Sequence, residues 1–313
     1  MGLYDMLILR ENDRGGNTST IERMRWLFLL LTAAHAQTLD DKIQAVIAGF
    51  PGSVGIFAKN LDSGAAYALH ADDRVRTAST IKLPILAATF AAVGEGKAKW
   101  TDLTTLHDSD KVSGSGVLGT EFAEGERLSL SDLAHLMIVL SDNTATNLVI
   151  DRITADYVNE QMDKLGLKQT RSMRKVRGDG ADLKAPGGYS KAGREPDDAR
   201  FGIGSTTPRE MVELLEKIER GQVVSEEASR EMIKILKRQQ DHNGIARRMG
   251  EMPVANKAGA LDHLRADVGI VYSKRGRIAM AIYCDGIPQV DWSSDNPGLL
   301  MIAKIADVLV AGL

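Results

Sequence analysis

The 313-residue chain is short of cysteine, of aromatic residues and of charge of one sign, and each shortage closes off a class of protein. Its one cysteine, Cys284, excludes an intramolecular disulfide. Placed after the apolar run "IAMAIY", it reads as a buried strand residue rather than a nucleophile. A formal net charge of −3 gives no electrostatic footprint for nucleic acid or an anionic membrane. The six histidines show no H-E-x-x-H pairing and there is no C-x-x-C, so neither a metal nor an organic cofactor is expected. No apolar run approaches the roughly 20 residues of a bilayer-spanning helix.

With 43% hydrophobic and 26% charged residues, what remains is a globular composition, long enough for one large domain or two lobes sharing a core. Residues 24–37, "MRWLFLLLTAAHAQ", pair a basic start at Arg25 with a short apolar stretch and the small-x-small pattern Ala34-His35-Ala36. That is the signature of a secretory leader. Residues 1–36 are therefore expected to be a leader, with Met24 a candidate start, and 37–313 a single catalytic domain in a secreted or periplasmic protein. Four arginines and four acidic residues cancel within 1–36, so the mature chain keeps the charge of −3.

Leu39, Ile43, Val46 and Ile47 recur at helical spacing, and "SVGIFAKNLDSGAAYALH" alternates around the turn Asp62-Ser63-Gly64 as a β-hairpin. Helical spacing then runs through 81–93, 131–140, 144–152 and 155–165. The next helix carries Thr207 as N-cap, Pro208 at the first position, and Glu210 to complete a capping box. Another opens at Ser225. Strand patterns return at "PVANKAG", "ADVGIVYS" and "RIAMAIYC", before a final helix over 297–311. The expected fold is α/β of the α+β kind: an antiparallel sheet built from both chain ends (37–78 and 240–313), flanked by helices. An all-helical lobe (79–239) is inserted between them. A site is expected where the lobes meet.

Three short motifs could carry chemistry. Ser79-Thr80-Ile81-Lys82 opens a helix and places an amine three residues from a hydroxyl, on one face. A serine needs a base, and a lysine serves if burial or neighbouring charge lowers its pKa. The backbone N–H of Ser79, at a helix start, could bind a developing oxyanion. A second S-x-x-K, Ser172 to Lys175, lies in a basic stretch and reads as surface. Ser141-Asp142-Asn143 separates two apolar helical segments and alone would be a helix cap. Lys257-Ala258-Gly259 puts a lysine on a strand, followed by a glycine that permits close backbone approach.

In this order, around a helical stretch, the three are the S-x-x-K, S-D-N and K-[TS]-G set of penicillin-recognising serine enzymes. The chain resembles the class A β-lactamase family through nearly all of residues 38–312. The resemblance implies Ser79 as acylated nucleophile, Lys82 as its base or proton relay, and Ser141 as proton donor to the leaving nitrogen. Asn143 would hold Lys82 and the substrate amide, and Lys257 would supply positive potential. The N–H groups of Ser79 and Ala260 would form the oxyanion hole, beside Gly259. A small-molecule substrate (a β-lactam or a cell-wall-like peptide) and a monomer are implied. The other readings are a D,D-peptidase or esterase, or a penicillin-binding or sensing module that acylates and stalls.

Two positions depart from the family pattern. Ala258 replaces the usual Thr or Ser, removing a hydroxyl from the substrate carboxylate, and Arg265 is a candidate to compensate. Val176 stands where the family's deacylating glutamate is expected, with Asp179, Asp182 and Glu195 as possible substitutes in the Gly- and charge-rich segment 176–204. Gly114 to Gly119 match G-x-G-x-x-G without a convincing preceding strand, and read as a flexible loop rather than a dinucleotide site; the family resemblance implies that it lies at the active-site rim. Among the histidines, His263 is the one expected near the cleft, and Arg177-Gly178-Asp179 has no weight as a motif.

Overall fold

A computed structural model describes residues 37–176 and 189–313. The helices are α1 (Leu39–Ile47), α2 (Lys82–Gly94), α3 (Leu130–Val139), α4 (Asn143–Ile153), α5 (Ala155–Lys164), α6 (Pro208–Glu219), α7 (Glu226–Leu236) and α8 (Pro297–Gly312). The strands are β1 (Ser53–Asn60), β2 (Ala66–Leu69), β3 (Val75–Arg76), β4 (Leu103–Thr105), β5 (Arg127–Ser129), β6 (Arg171–Ser172), β7 (Gly204–Thr206), β8 (Val254–Leu261), β9 (Leu264–Ser273) and β10 (Gly276–Asp285). The leader residues, Asp179 and Asp182 lie outside the described residues.

Both ends of the chain build one five-stranded antiparallel sheet in the order β2-β1-β10-β9-β8, as the strand patterns at the two ends imply. Side chains alternate across it with period two. Val54, Ile56 and Ala58 of β1, with Ile278, Met280, Ile282 and Cys284 of β10, pack on the apolar stripes of α1 and α8. Phe57, Ala279, Ala281 and Tyr283 point the other way into the larger core. With both faces covered, the central strands read as nearly unbroken apolar runs. Cys284 is buried in β10, as its sequence context suggests, and burial raises its thiol pKa, keeping it protonated.

α2 is buried on almost every side and forms the centre of the helical part, with α3, α4 and α5 packed around it. α6 instead lies on β1, β9 and β10. Its cap departs in one detail from the sequence reading. Thr207 accepts from the Glu210 N–H at 3.1 Å, but the Glu210 carboxylate turns away and accepts from the Gln169 N–H (2.9 Å) and Thr170 Oγ1 (2.7 Å). A charged acceptor gains more from a tertiary N–H and hydroxyl than from closing its own box. The short sheets β3-β7-β6 and β4-β5 carry no sequence signal strong enough to anticipate. No helix among the described residues is long and apolar enough to cross a membrane.

Candidate active site

β8 is an edge strand, paired only on its β9 side, so its other edge presents free backbone toward the start of α2. Residues Ala78–Ile81 form a 3₁₀ turn leading into α2, and this turn carries Ser79. Thr80 anchors it, its hydroxyl 2.7 Å from Thr77 O and 3.0 Å from the Tyr283 hydroxyl on β10. Gly259 explains how close β8 comes. A Cβ there would stand 3.0 Å from Ser79 N, Thr77 O and Thr80 N, all backbone atoms, so a side chain would fit only if β8 or the turn gave way. Ala78 has φ +45° and Ser141 has φ +55°. Non-glycine residues rarely adopt that conformation, and here it occurs beside the nucleophile and at the motif serine.

Lys82 is fully buried. Its Nζ donates to Ser141 O (2.6 Å), Asn143 Oδ1 (2.8 Å) and Ser141 Oγ (3.1 Å). Lys257, equally buried on β8, donates to the same Ser141 Oγ at 3.0 Å and to Ala258 O at 2.6 Å. Two lysine nitrogens converging on one hydroxyl oppose double protonation. Burial and then the Lys257 charge push the Lys82 pKa well below the lysine range, with Asp142 opposing. Burial lowers Lys257 to about 8, with Asp267 and Asp241 holding it up. Lys82 is thus the lysine that more readily stands neutral and free to take a proton, and Lys257 the one that more readily keeps its charge.

Asp142 organises the S-D-N turn. Its carboxylate caps α4 by accepting from Ala145 N at 2.8 Å, and accepts from Val117 N (2.7 Å) and Leu118 N (2.9 Å). The glycines of the G-x-G-x-x-G stretch serve this approach. Gly116, at φ +113°, would drive a Cβ to 2.2 Å from Asp142 Oδ2, and Gly114 would meet Asn143 Nδ2 at 2.7 Å. The stretch is a loop over the S-D-N turn, and Gly114 and Ser115 line the cleft, where the family resemblance implies the loop should lie.

The cleft encloses about 580 Å³ and is lined by Ser79, Ser141, Asn143, Lys257, Gly259 and Ala260, with His263 also at its wall. Lys82 reaches its floor through Ser141 and Asn143. The structure therefore brings together every residue of the expected site except Arg265. That residue is only 2% exposed and does not line the cleft. Its guanidinium donates to the carbonyls of Leu261 (2.5 Å), Leu264 (2.8 Å) and Asp291, and lies 4.7 Å from the Trp292 ring centroid. Those donors are committed to backbone, so Arg265 does not make up for the hydroxyl missing at Ala258.

Val176 lines the cleft, its N–H donating to Asn147 Oδ1 (2.8 Å) and its carbonyl accepting from Asn147 Nδ2 (2.9 Å). Glu195 is exposed on a 3₁₀ turn and is not among the lining residues. The second S-x-x-K separates from catalysis altogether. Contrary to the surface reading, Ser172 is buried in β6, its hydroxyl without a partner among the described residues, while Lys175 pairs with Asp151 on α4. Sequence reasoning missed Asp241 and Trp292, both in the cleft wall. Asp241 has no motif around it, whereas a lone tryptophan in the polar segment "DGIPQVDWSSDNP" was a usable signal.

A cleft that gathers a serine at a helix start, a buried low-pKa amine three residues on, and a second hydroxyl under two lysines has the groups that acyl transfer needs. The fold carrying it is that of the class A β-lactamases. The chain belongs to the β-lactamase enzyme family, whose sequence profile matches residues 38–313. A solved β-lactamase from Sphaerobacter thermophilus is 28% identical, with a TM-score of 0.73 over 86% of this chain and 94% of that one. A mutant of PBP-A, solved as an acyl-enzyme with penicillin G, is 28% identical, with a TM-score of 0.72 over 87% of this chain and 95% of that one. The curated β-lactamase SME-1 of Serratia marcescens is 28% identical over 122 residues, which is 38% of this chain and 41% of SME-1. The chain thus spans well under half of that curated relative.

Proposed function

We propose that this protein is an exported, monomeric serine hydrolase that opens β-lactam amides through an acyl-enzyme on Ser79, and that it releases the acyl group slowly. The observation that carries the reading is the convergence of Lys82 and Lys257 on Ser141 Oγ at 3.1 and 3.0 Å. Neutral Lys82 takes the Ser79 proton as Oγ bonds to the carbonyl carbon. The N–H groups of Ser79 and Ala260 receive the oxyanion. As the C–N bond breaks, Ser141 gives its proton to the leaving nitrogen, and the Lys82 ammonium restores it. Lys257 stays charged and favours this transfer. Neither a metal nor an organic cofactor enters these steps.

Slow release rests on Val176. A valine in the cleft wall cannot take a proton from water, and Glu195 is exposed and not among the residues lining the cleft. The resemblance to PBP-A supports the related reading, a penicillin-binding module that acylates and stalls. Ala258 leaves room for D,D-peptidase or esterase chemistry on substrates with weaker demand for a carboxylate clamp. Export to the periplasm or beyond rests on the leader pattern of residues 24–37.

Intact-protein mass spectrometry after mixing with benzylpenicillin, with Ser79→Ala alongside, tests this. The expected result is a Ser79-dependent adduct that persists for many turnover times of an ordinary hydrolase. An absent adduct with no drug consumed rejects the β-lactam reading. Rapid formation and decay of the adduct rejects slow deacylation.

A further inference from the structure

Arg265 and Trp292 pose a question that acyl transfer does not answer. An arginine buried to 2% exposure has its guanidinium consumed by three carbonyls, while the tryptophan beside it is left 63% exposed in the wall of the catalytic cleft. Burying a guanidinium is unfavourable, and burial lowers its pKa. Such a group is retained where it fixes something.

What it fixes is the segment carrying Trp292. Arg265 Nη2 donates to the carbonyl of Asp291, the residue before the tryptophan. Asn296 Nδ2 donates to the same carbonyl at 2.7 Å, and Asn296 Oδ1 caps α8 through Gly298 N at 2.8 Å. The guanidinium then lies 4.7 Å from the Trp292 ring centroid, within cation–π reach. Gly298 keeps the helix end against Arg265, since a Cβ there would stand 3.0 Å from Arg265 Cβ. The indole is thereby held at its base by backbone and supported by a cation, yet most of its surface is open to water. A large aromatic surface that stands uncovered on an anchored backbone, with a cation against its ring, already has the features of a binding anchor.

We infer that Trp292 is a stacking subsite for a planar apolar group of the substrate, and that Arg265 is its positioning residue. The position in the fold specifies the occupant. Trp292 shares one cleft with Ser79, and Val176, Ile203 and Leu261 add further apolar lining. A ligand whose carbonyl is at Ser79 and which carries an aromatic side chain has an apolar wall to meet within that cleft. The inference rests on the proposed acyl-transfer reading and deepens it by naming the substrate class: acyl compounds bearing an aromatic substituent.

The test uses Ser79→Ala protein, which binds without reacting, and compares it with Ser79→Ala/Trp292→Ala. Dissociation constants are measured for benzylpenicillin, which carries a phenyl ring, and for 6-aminopenicillanic acid, which lacks it. Intrinsic fluorescence is a second readout, because Trp100 and Trp292 are the only tryptophans after residue 36. The expected result is a benzylpenicillin-induced fluorescence change that disappears with Trp292. The affinity advantage of benzylpenicillin over 6-aminopenicillanic acid should also fall roughly threefold to tenfold, the range of an aromatic pair. Arg265→Lys in the same background should lose part of that advantage while keeping the indole. An unchanged ratio of affinities overturns the inference and leaves acyl transfer standing. If neither compound binds, and wild type forms no adduct, the underlying reading fails and the subsite falls with it.

Discussion

Replacing Gly259 with alanine probes the contact on which the site depends. The added Cβ would lie 3.0 Å from each of Ser79 N, Thr77 O and Thr80 N, about half an ångström inside comfortable packing distance. All three are backbone atoms, so no rotamer change relieves the overlap. Either β8 withdraws, against its pairing with β9, or the 3₁₀ turn carrying Ser79 shifts. Overpacking of this kind costs about 1–3 kcal/mol, and the melting temperature should drop by several degrees. Function should suffer separately. A displacement of about 1 Å between reacting groups is worth roughly a hundredfold in rate, so half of that predicts about a tenfold slower acylation. Calorimetry and time-resolved mass spectrometry with benzylpenicillin would measure both. Acylation within twofold of wild type, with an unshifted melting temperature, would show that β8 does not abut the nucleophile as described.

The acylation rate should follow a bell against pH. It rises as Lys82, whose pKa lies well below the lysine range, loses its proton, and falls as Lys257 loses its charge near pH 8. Asp267→Asn removes a negative charge that favours protonated Lys257, so the alkaline limb should move to lower pH, and an unmoved limb rejects the assignment. Val176→Glu places a carboxylate in the cleft wall and should shorten the acyl-enzyme lifetime by at least about tenfold, read as adduct decay. Asp142→Ala strips acceptors from three N–H groups and should lower stability by roughly 2–4 kcal/mol in urea unfolding. Ser172→Ala removes a buried hydroxyl with no partner among the described residues; it should leave acylation unchanged and stability equal or slightly higher.

What could be read from the chain, and what could not, divides along local against tertiary causes. Helix starts at Thr207 and Ser225 are local events, and their N-caps form where the residues indicate. Glu210 was misread because its acceptor is satisfied from Gln169 and Thr170, forty residues away. Ser79, Lys82, Ser141, Asn143 and Lys257 were legible as a set, since only their joint order distinguishes them from ordinary caps and surface lysines. Arg265 was not. Its spacing from Lys257 is compatible with reaching into the cleft, yet three carbonyls on two chain segments claim its donors, and only the folded chain creates that competition.

The same distinction clarifies Val176. One aligned position indicated that a base is missing, but a base could have returned from elsewhere in the segment. Asn147 closes part of that freedom: by bonding both the N–H and the carbonyl of Val176, it fixes this point of the backbone in the cleft wall. The valine is therefore held in place rather than displaced by a rearranged chain. If the proposed function holds, acylation and deacylation should be separable by experiment in this protein. The groups for the first converge on Ser141, whereas the residue placed for the second has no proton-accepting atom in its side chain. On the proposed reading, substrate preference would depend more on how well the acyl group is held than on how fast it is released, and the exposed Trp292 in the cleft wall is where that difference would be measured.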